Sequence, residues 1–388
     1  MTQNFPLDEG RLGLYIHWPF CLARCPYCDF NTFVRDGIDY DAWLSAYLSS
    51  LDHYAGLTRG RGLSSVFFGG GTPSLMKPDH VAAILARVRE LWSCSEDIEI
   101  TLEANPTSVE IGKLRAFADA GVNRISLGVQ ALNDKDLAFL GREHDVKNAM
   151  QAIEISQNVF ERASFDLIYA RPEQSLKDWE AELRAAAALS AGHLSLYQLT
   201  IEQNTPFHFD FQKGLFSIPD QDLAADFYDL TQDVLGAAGM PAYEVSNHAR
   251  AGEESRHNLI YWEYDDYIGI GPGAHGRLSL EGGKVATRDH ASLDGWMKHV
   301  GKKGHGTHPH KILSALDQVT EALMMGLRLR KGVSLQAHYW DCLDECNVKT
   351  LADQGWLEFD AAHMRLTCEG RLRLNTVLPY ILRDDVEG

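Results

Sequence analysis

The chain has 388 residues, 45% of them hydrophobic, enough for one large domain and a smaller one with their own cores. Its formal net charge is −18, from 36 basic and 54 acidic residues, which argues against a general nucleic-acid binder with its basic face. Seven cysteines, three of them crowded between Cys21 and Cys28, suit a reducing compartment and a metal centre better than a disulfide framework. The first eleven residues carry Asp8 and Glu9 and no apolar signal core, and no run of about eighteen apolar residues occurs. The expectation is a soluble, cytoplasmic protein without a transmembrane segment, peripheral membrane contact being left open.

From Leu12 to about Thr200, short apolar runs alternate with stretches whose apolar residues recur every three or four positions. The expected strands are Leu12–His17, Ser65–Phe68, Ile98–Leu102, Arg124–Leu127, Ser164–Ile168 and Leu194–Leu199. The expected helices are Ile38–Tyr54, Pro78–Trp92, Ser108–Ala120, Val146–Val159 and Leu176–Leu189, with Asp79, Ser108, Asp134 and Ser175 as caps near their starts. Strand–helix alternation implies a parallel sheet with crossover helices, here a partial barrel of six units. In such folds ligands sit at the C-terminal ends of the strands.

The residues that carry chemistry fall at those ends. Past the first strand come Cys21, Cys25 and Cys28, spaced C-x3-C-x2-C. Iron–sulfur clusters are held by cysteine thiolates, usually four per cubane, so three leave one iron free to bind a substrate. This is the radical-SAM spacing, in which S-adenosylmethionine (SAM) takes the fourth iron of a [4Fe-4S] cluster. Zinc with His17 as fourth ligand is the alternative, but no second C-x2-C half-site appears. Tyr15 shares a face of strand one with His17 and is either a packed barrel residue or a SAM contact. The second strand ends in Gly69-Gly70-Gly71-Thr72-Pro73, where glycines let backbone approach a ligand closely. Glu103 after strand three suits ribose hydroxyls, and Gln130 after strand four offers an amide. Arg142 has the bidentate geometry for a carboxylate such as that of SAM, its plain alternative being a surface ion pair with Glu143 or Asp145. Asp166 lies inside an apolar run and needs a ligand or a hydrogen-bond network.

Beyond Thr200 the pattern changes. Gln221–Leu235 reads as a helix and Tyr243–His248 as a strand. Gly271, Gly273 and Gly276 match G-x-G-x-x-G by letter, but a proline inside and no clear helix after it point to a glycine-lined floor, not a dinucleotide site. His305, His308 and His310 read as a solvated loop. From Lys311 a separate unit is expected: a helix over 312–329, helices over 335–342 and 349–354, a hairpin, and a last helix. Helices with a hairpin suggest a winged-helix-like α+β domain. Its nine basic and twelve acidic residues speak against DNA and for a lid or partner surface. Cys342 and Cys346, four apart, read as ordinary thiols on one helical face. The division is therefore residues 1–250, a barrel; 251–310, a connecting segment near the active site; and 311–388, the small domain.

The order of motifs resembles the radical-SAM family of oxygen-independent coproporphyrinogen III oxidase, most closely its HemW branch of haem chaperones. The likeness rests on residues 15–21 (YIHWPFC), 25–30 (CPYCDF), 69–73 (GGGTP), 126–130 (SLGVQ), and His257-Asn258 with Tyr261-Trp262. It implies that Cys21, Cys25 and Cys28 ligate the cluster. It also implies that Tyr15, Tyr27, Gly70 and Glu103 contact cluster-bound SAM, and that Gly71, Thr72, Gln130, Arg142 and Asp166 surround a second SAM or share the first. Haem is the implied cargo, with His257 as candidate iron ligand, Asn258 orienting it, and Tyr261 and Trp262 as flat apolar neighbours; His17, His248 and His275 compete. Two departures separate the chain from the oxidase. Phe30 stands where the oxidase has a fourth cysteine, and only eleven residues precede strand one, where the oxidase carries a long arm. A third is Ala170-Arg171-Pro172 in place of Gly-Leu-Pro, an arginine expected either to meet an anionic ligand or to face solvent. The implied function is a haem chaperone that delivers haem to acceptor proteins. The alternatives are radical oxidative decarboxylation of coproporphyrinogen III and radical-SAM chemistry on haem itself.

Overall fold

The computed structural model describes residues 10–383. Among them one large mixed sheet organises the chain. Its strands are β1 (Leu12–Trp18), β2 (Gly62–Gly70), β3 (Ser93–Ala104), β4 (Arg124–Gln130), β5 (Arg162–Tyr169) and β6 (His193–Gln198), all parallel and in sequence order. These are the six expected strands, and the helices Tyr40–Leu57, Pro78–Leu91, Val146–Val159 and Leu176–Leu189 cross between them. The expected helix over 108–120 is instead two short ones, Ser108–Ile111 and Leu114–Asp119. Gly112, a poor residue for a helix interior, lies at the break. Ser175 caps its helix as expected, whereas the caps of two others are Lys77 and Asn133, not Asp79 and Asp134. The side chain of Ser108 lies outside the described residues.

Two further sets of strands flank the six. Asn247–Ala249 (β7), which shares only Asn247 and His248 with the strand expected over 243–248, pairs antiparallel with β6. On the other side Asp266–Ile270 (β8) lies parallel to β1, and the hairpin His275–Leu280 (β9) and Gly283–Arg288 (β10) extends the sheet beyond it. Residues 251–310 thus add strands to the barrel sheet itself. Lys311–Ile312 pairs with β10, and Ser314 with Asp317 forms a capping box, so the next helix starts at Ala315 and not at Ile312.

Strand alternation decides what faces where. Leu12, Leu14, Ile16 and Trp18 are at most 2% exposed and pack on the surrounding helices. Gly13, Tyr15 and His17 take the other face, with Ser65, Phe67 and Gly69 beside them in register. The outer packing is aromatic: Trp43 of the first helix stacks on Trp296 of the helix Leu293–Lys303 at 5.3 Å and 6°. The C-terminal unit has its own core of Val319, Leu323, Leu343, Val348 and Val377, and a three-stranded antiparallel sheet of Val333–Ser334, His363–Leu366 and Leu357–Phe359. The hairpin is as expected; the helix over 335–342 is a 3-10 turn, Ala337–Asp341. Cys342 is buried before the helix Glu345–Asp353 and Cys346 is exposed within it, so the two share no helical face.

The end of the barrel away from the cysteines is closed by charge. Glu99 on β3 is 2% exposed and accepts from Arg162 and from the backbone N–H groups of Arg256 (3.2 Å) and His257 (2.9 Å). The helix Arg256–Trp262 is thereby seated over the start of β1 and β2. Removing one side of a buried pair leaves the other charge uncompensated. Glu99→Ala is expected to destabilise the protein by about 3–5 kcal/mol, read as a lower urea midpoint in circular dichroism; a change below about 1 kcal/mol would show the cluster to be solvated.

Candidate functional site

The cysteine loop leaves β1 and is tied down at several points. Cys21 lies in a two-residue strand, Phe20–Cys21, paired with Phe33–Val34. Asn31 donates to the carbonyls of Pro272 and Ala291, both at 2.9 Å. Its own carbonyl meets His17 Nε2 at 3.0 Å, while His17 Nδ1 meets the Tyr15 hydroxyl at 3.0 Å. His17 therefore has no nitrogen left for a metal beside the cysteines.

The glycine run is demanded by the protein's own backbone as much as by any ligand. Gly71 N–H donates to Trp18 O at 2.7 Å and Thr72 N–H to Phe20 O at 2.8 Å. A Cβ on Gly71 would lie 2.6 Å from Phe20 O. Gly70 has φ +108° and a Cβ there would enter the His17 ring.

Beside this loop is a cavity of about 170 Å³ lined by all three cysteines together with Gly70, Thr72, Glu103, Gln130, Arg142 and Asp166. The expected site residues thus converge, Tyr27 and Gly71 included. Tyr15 borders the neighbouring cavity, with which Gly70 and Glu103 are shared. The three thiols are half-buried and free, and burial pushes those of Cys21 and Cys28 up. As they stand, no three histidine, cysteine or carboxylate side chains among the described residues are drawn together for one metal ion. They ring one cavity from one loop, which fits a multi-iron cluster that spans them better than a single ion at a point.

Arg142 turns inward, not to Glu143 or Asp145. Its guanidinium donates to Gly128 O (2.9 Å), to Asn105, to Cys25 Sγ (3.1 Å) and to the Tyr27 hydroxyl (3.4 Å), and its buried Nε has no partner among the described residues. Gln130 holds a left-handed φ of 75°, strain of the kind that collects at functional sites. Asp166 receives both things its position demanded: a cavity wall and a network, with Ser126 Oγ at 3.5 Å, Ser195, and Arg124 nearby. Burial raises it to about 6. Burial, then the charge of Asp166, raises Glu103 to about 8, although Gly70 N–H donates to it at 3.1 Å.

Sequence reasoning missed Asn105, Arg124 and Ser195 as partners of these groups. Asn105 sits just past a strand end, a signal it shares with Glu103. Arg124 and Ser195 had none, since their partners come from other strands.

The residues expected around haem are not gathered in the cavity. His257 is 1% exposed, on the helix over the start of β1 and β2. Its Nδ1 meets Ser65 Oγ and its Nε2 the Tyr261 hydroxyl, both at 2.7 Å, and its ring stacks on Phe67. Burial lowers its pKa to about 3. Ser65 and Tyr261, not Asn258, orient the ring. As folded, neither nitrogen is open to iron. Trp262 points instead toward the C-terminal unit, with the Arg328 guanidinium 4.6 Å from its ring. Arg171 meets neither solvent nor an anionic ligand: it is 1% exposed and paired with Asp136 and Glu182. Gly271 and Gly273 have positive φ and lead into a strand, as a glycine floor does and a dinucleotide site does not. His305 stacks on His53 and His308 meets the His290 ring at a tilt of 42°, so two of the three loop histidines have ring partners.

A partial barrel with three thiols at its open end defines a radical SAM protein. Residues 15–186 match the Radical SAM superfamily and residues 313–373 the HemN C-terminal domain. Radical S-adenosyl methionine domain-containing protein 1, mitochondrial, of Bos taurus is 40% identical over 387 residues, covering 96% of this chain and 87% of its own. Heme chaperone HemW of Escherichia coli (strain K12) is 36% identical over 381 residues, covering 96% of this chain and 98% of its own; that of Bacillus subtilis (strain 168) is 33% identical over 376 residues, covering 95% and 98%. Coproporphyrinogen III oxidase (HemN) from Escherichia coli shares the fold, with a TM-score of 0.79 at 22% identity over 96% of this chain and 90% of that one. The chain belongs to the radical SAM superfamily, in the branch of the HemW haem chaperones.

Two outcomes are expected at this site. Glu103→Ala and Arg142→Ala each weaken SAM binding by roughly 1.5–3 kcal/mol with iron content unchanged; unaltered affinity in both would leave them purely structural. The raised pKa adds a sign. Glu103 is largely protonated at pH 7, and hydroxyl donors from SAM favour its carboxylate, so binding releases a proton. Calorimetry in buffers of different ionisation enthalpy should show this release in the wild type and not in Glu103→Gln. In the ligand-free protein the same group stabilises the fold below its unfolded value of 4.5, and that contribution is lost as pH rises through about 8.

Proposed function

We propose that the protein is a haem chaperone that keeps a [4Fe-4S] cluster and SAM and passes haem to acceptor proteins. The observation that carries this reading is the end-to-end likeness to relatives named Heme chaperone HemW, 33–36% identical over 95–96% of this chain and 92–98% of theirs. The local chemistry supports it. In this reading Cys21, Cys25 and Cys28 hold the cluster, Tyr15, Tyr27, Gly70 and Glu103 meet the SAM bound to it, and Gly71, Thr72, Gln130, Arg142 and Asp166 line the space beyond. A reduced cluster of this kind supplies an electron to SAM; the barrel supplies orientation and keeps water out.

Phe30 separates this reading from porphyrinogen decarboxylation. It stands where the oxidase has a further cysteine, is 59% exposed, and lines the rim of the cavity. A phenyl ring there offers a haem-like macrocycle an apolar contact and offers a metal nothing. No helix of the described residues is long and apolar enough to cross a membrane. The reading includes a compartment where thiols stay reduced, the cytoplasm; a mitochondrial compartment, as in the name of the Bos taurus relative, meets the same need.

Anaerobically reconstituted protein is expected to hold about four irons, to change its reduced-cluster EPR signal on adding SAM, and to give a saturable Soret change with haemin. Coproporphyrinogen III should come through anaerobic incubation with SAM and reductant unconverted by mass analysis. Zinc as the tightly held metal would sink the cluster assignment, and robust formation of protoporphyrinogen IX would move the protein to the enzymes.

A further inference from the structure

A second cavity, about 370 Å³ and more open than the first, adjoins it across the wall of Gly70 and Glu103. Its far wall comes from the sheet extension: Tyr267 of β8, and Ala274 and His275 at the turn into β9. Tyr15, Tyr261 and Phe30 complete an aromatic lining. The cluster and SAM assignments leave this far wall unused.

Four histidines competed for haem iron, and the structure separates them. His17 and His257 each have both ring nitrogens engaged. His248 is 1% exposed, with Nε2 at Gln232. His275 is exposed at the cavity rim, and its side chain has no hydrogen bond or ion pair among the described residues. Arg288 and Arg277 stand near enough to act on the ring electrostatically. Directly across the hairpin His275 pairs with Arg288, which is exposed and likewise without an ion pair among the described residues. Arg277, two residues on, is instead committed to Glu321 at 2.7 and 2.8 Å.

An unpartnered imidazole, flat aromatic walls and, among the described residues, an unpaired guanidinium one cross-strand step away match the three parts of haem: iron, macrocycle and propionate. We propose that haem is carried in this second cavity, with His275 as the iron ligand and Arg288 holding a propionate. This rests on the haem-chaperone reading above. The cavity is open to solvent, which suits a cargo that must be handed on: one edge is gripped and the rest stays accessible to the acceptor.

The test is haemin titration of cluster-loaded wild type, His275→Ala, Arg288→Glu and His257→Ala, with resonance Raman of the ferrous forms. The expected result in His275→Ala is loss of the iron–imidazole stretch and at least tenfold weaker binding. Added imidazole should restore the Soret band, a rescue that a merely structural role would not give. Arg288→Glu should weaken binding severalfold while keeping the iron–imidazole stretch. Iron and SAM content report that each variant is folded. If wild type binds haemin and His275→Ala keeps the same spectrum and affinity, the assignment is overturned; so it is if only His257→Ala loses the stretch. If wild type shows no saturable Soret change, the chaperone reading itself falls.

Discussion

The site depends on one close approach of backbone to backbone, where the glycine run leaving β2 lies directly against the residues leaving β1. Gly71 and Thr72 donate to Trp18 and Phe20, and the space between admits no Cβ. This contact fixes where the cysteine loop departs, because Phe20 and Cys21 are part of it. It also fixes Gly70, whose N–H reaches Glu103. The cysteine loop, the glycine run and the Glu103 carboxylate therefore share one rigid frame. Preorganisation of this kind is the protein's part in cofactor chemistry, since the cofactor brings its own reactivity.

Charge is distributed along the barrel axis according to what each end must do. At the closed end Glu99 is saturated by Arg162 and two backbone N–H groups. At the open end Glu103 and Asp166 face each other across the cavity with fewer donors than their oxygens can accept, and both are pushed up. A carboxylate satisfied by protein holds structure; one left short of donors is poised for a ligand that brings them. The same contrast separates two histidines. His257, with both nitrogens satisfied, holds the lower helix against the sheet, while the His275 side chain stands at the rim without a hydrogen-bond partner among the described residues.

The strands beyond β1 change the shape of the site. A six-stranded partial barrel is open along its β1 edge. Here β8 pairs with that edge and the β9–β10 hairpin continues outward, so the barrel gains a second wall on the side where Tyr15 faces. The same extension carries Arg277, whose pairing with Glu321 fastens the C-terminal unit to it.

The sequence by itself determined the six parallel strands, most of their helices and the place of the three clustered cysteines in one loop. Periodicity and local spacing carry that information: alternation within a strand, three- and four-residue recurrence in a helix, three cysteines in one loop. It also brought Glu103, Gln130, Arg142 and Asp166 to one cavity, because in a parallel barrel every strand's C-terminal end opens on the same mouth. What only the tertiary structure decided are the relations between distant segments. That residues 266–270 lie beside residues 12–16 has no local signature, since an edge strand's partner is chosen by the whole sheet. The role of His257 turned on Ser65, nearly two hundred residues away. Arg171 gave no hint that Asp136 and Glu182 would enclose it. Such burial is written in packing, where one residue's surroundings are assembled from parts of the chain that cannot be read side by side.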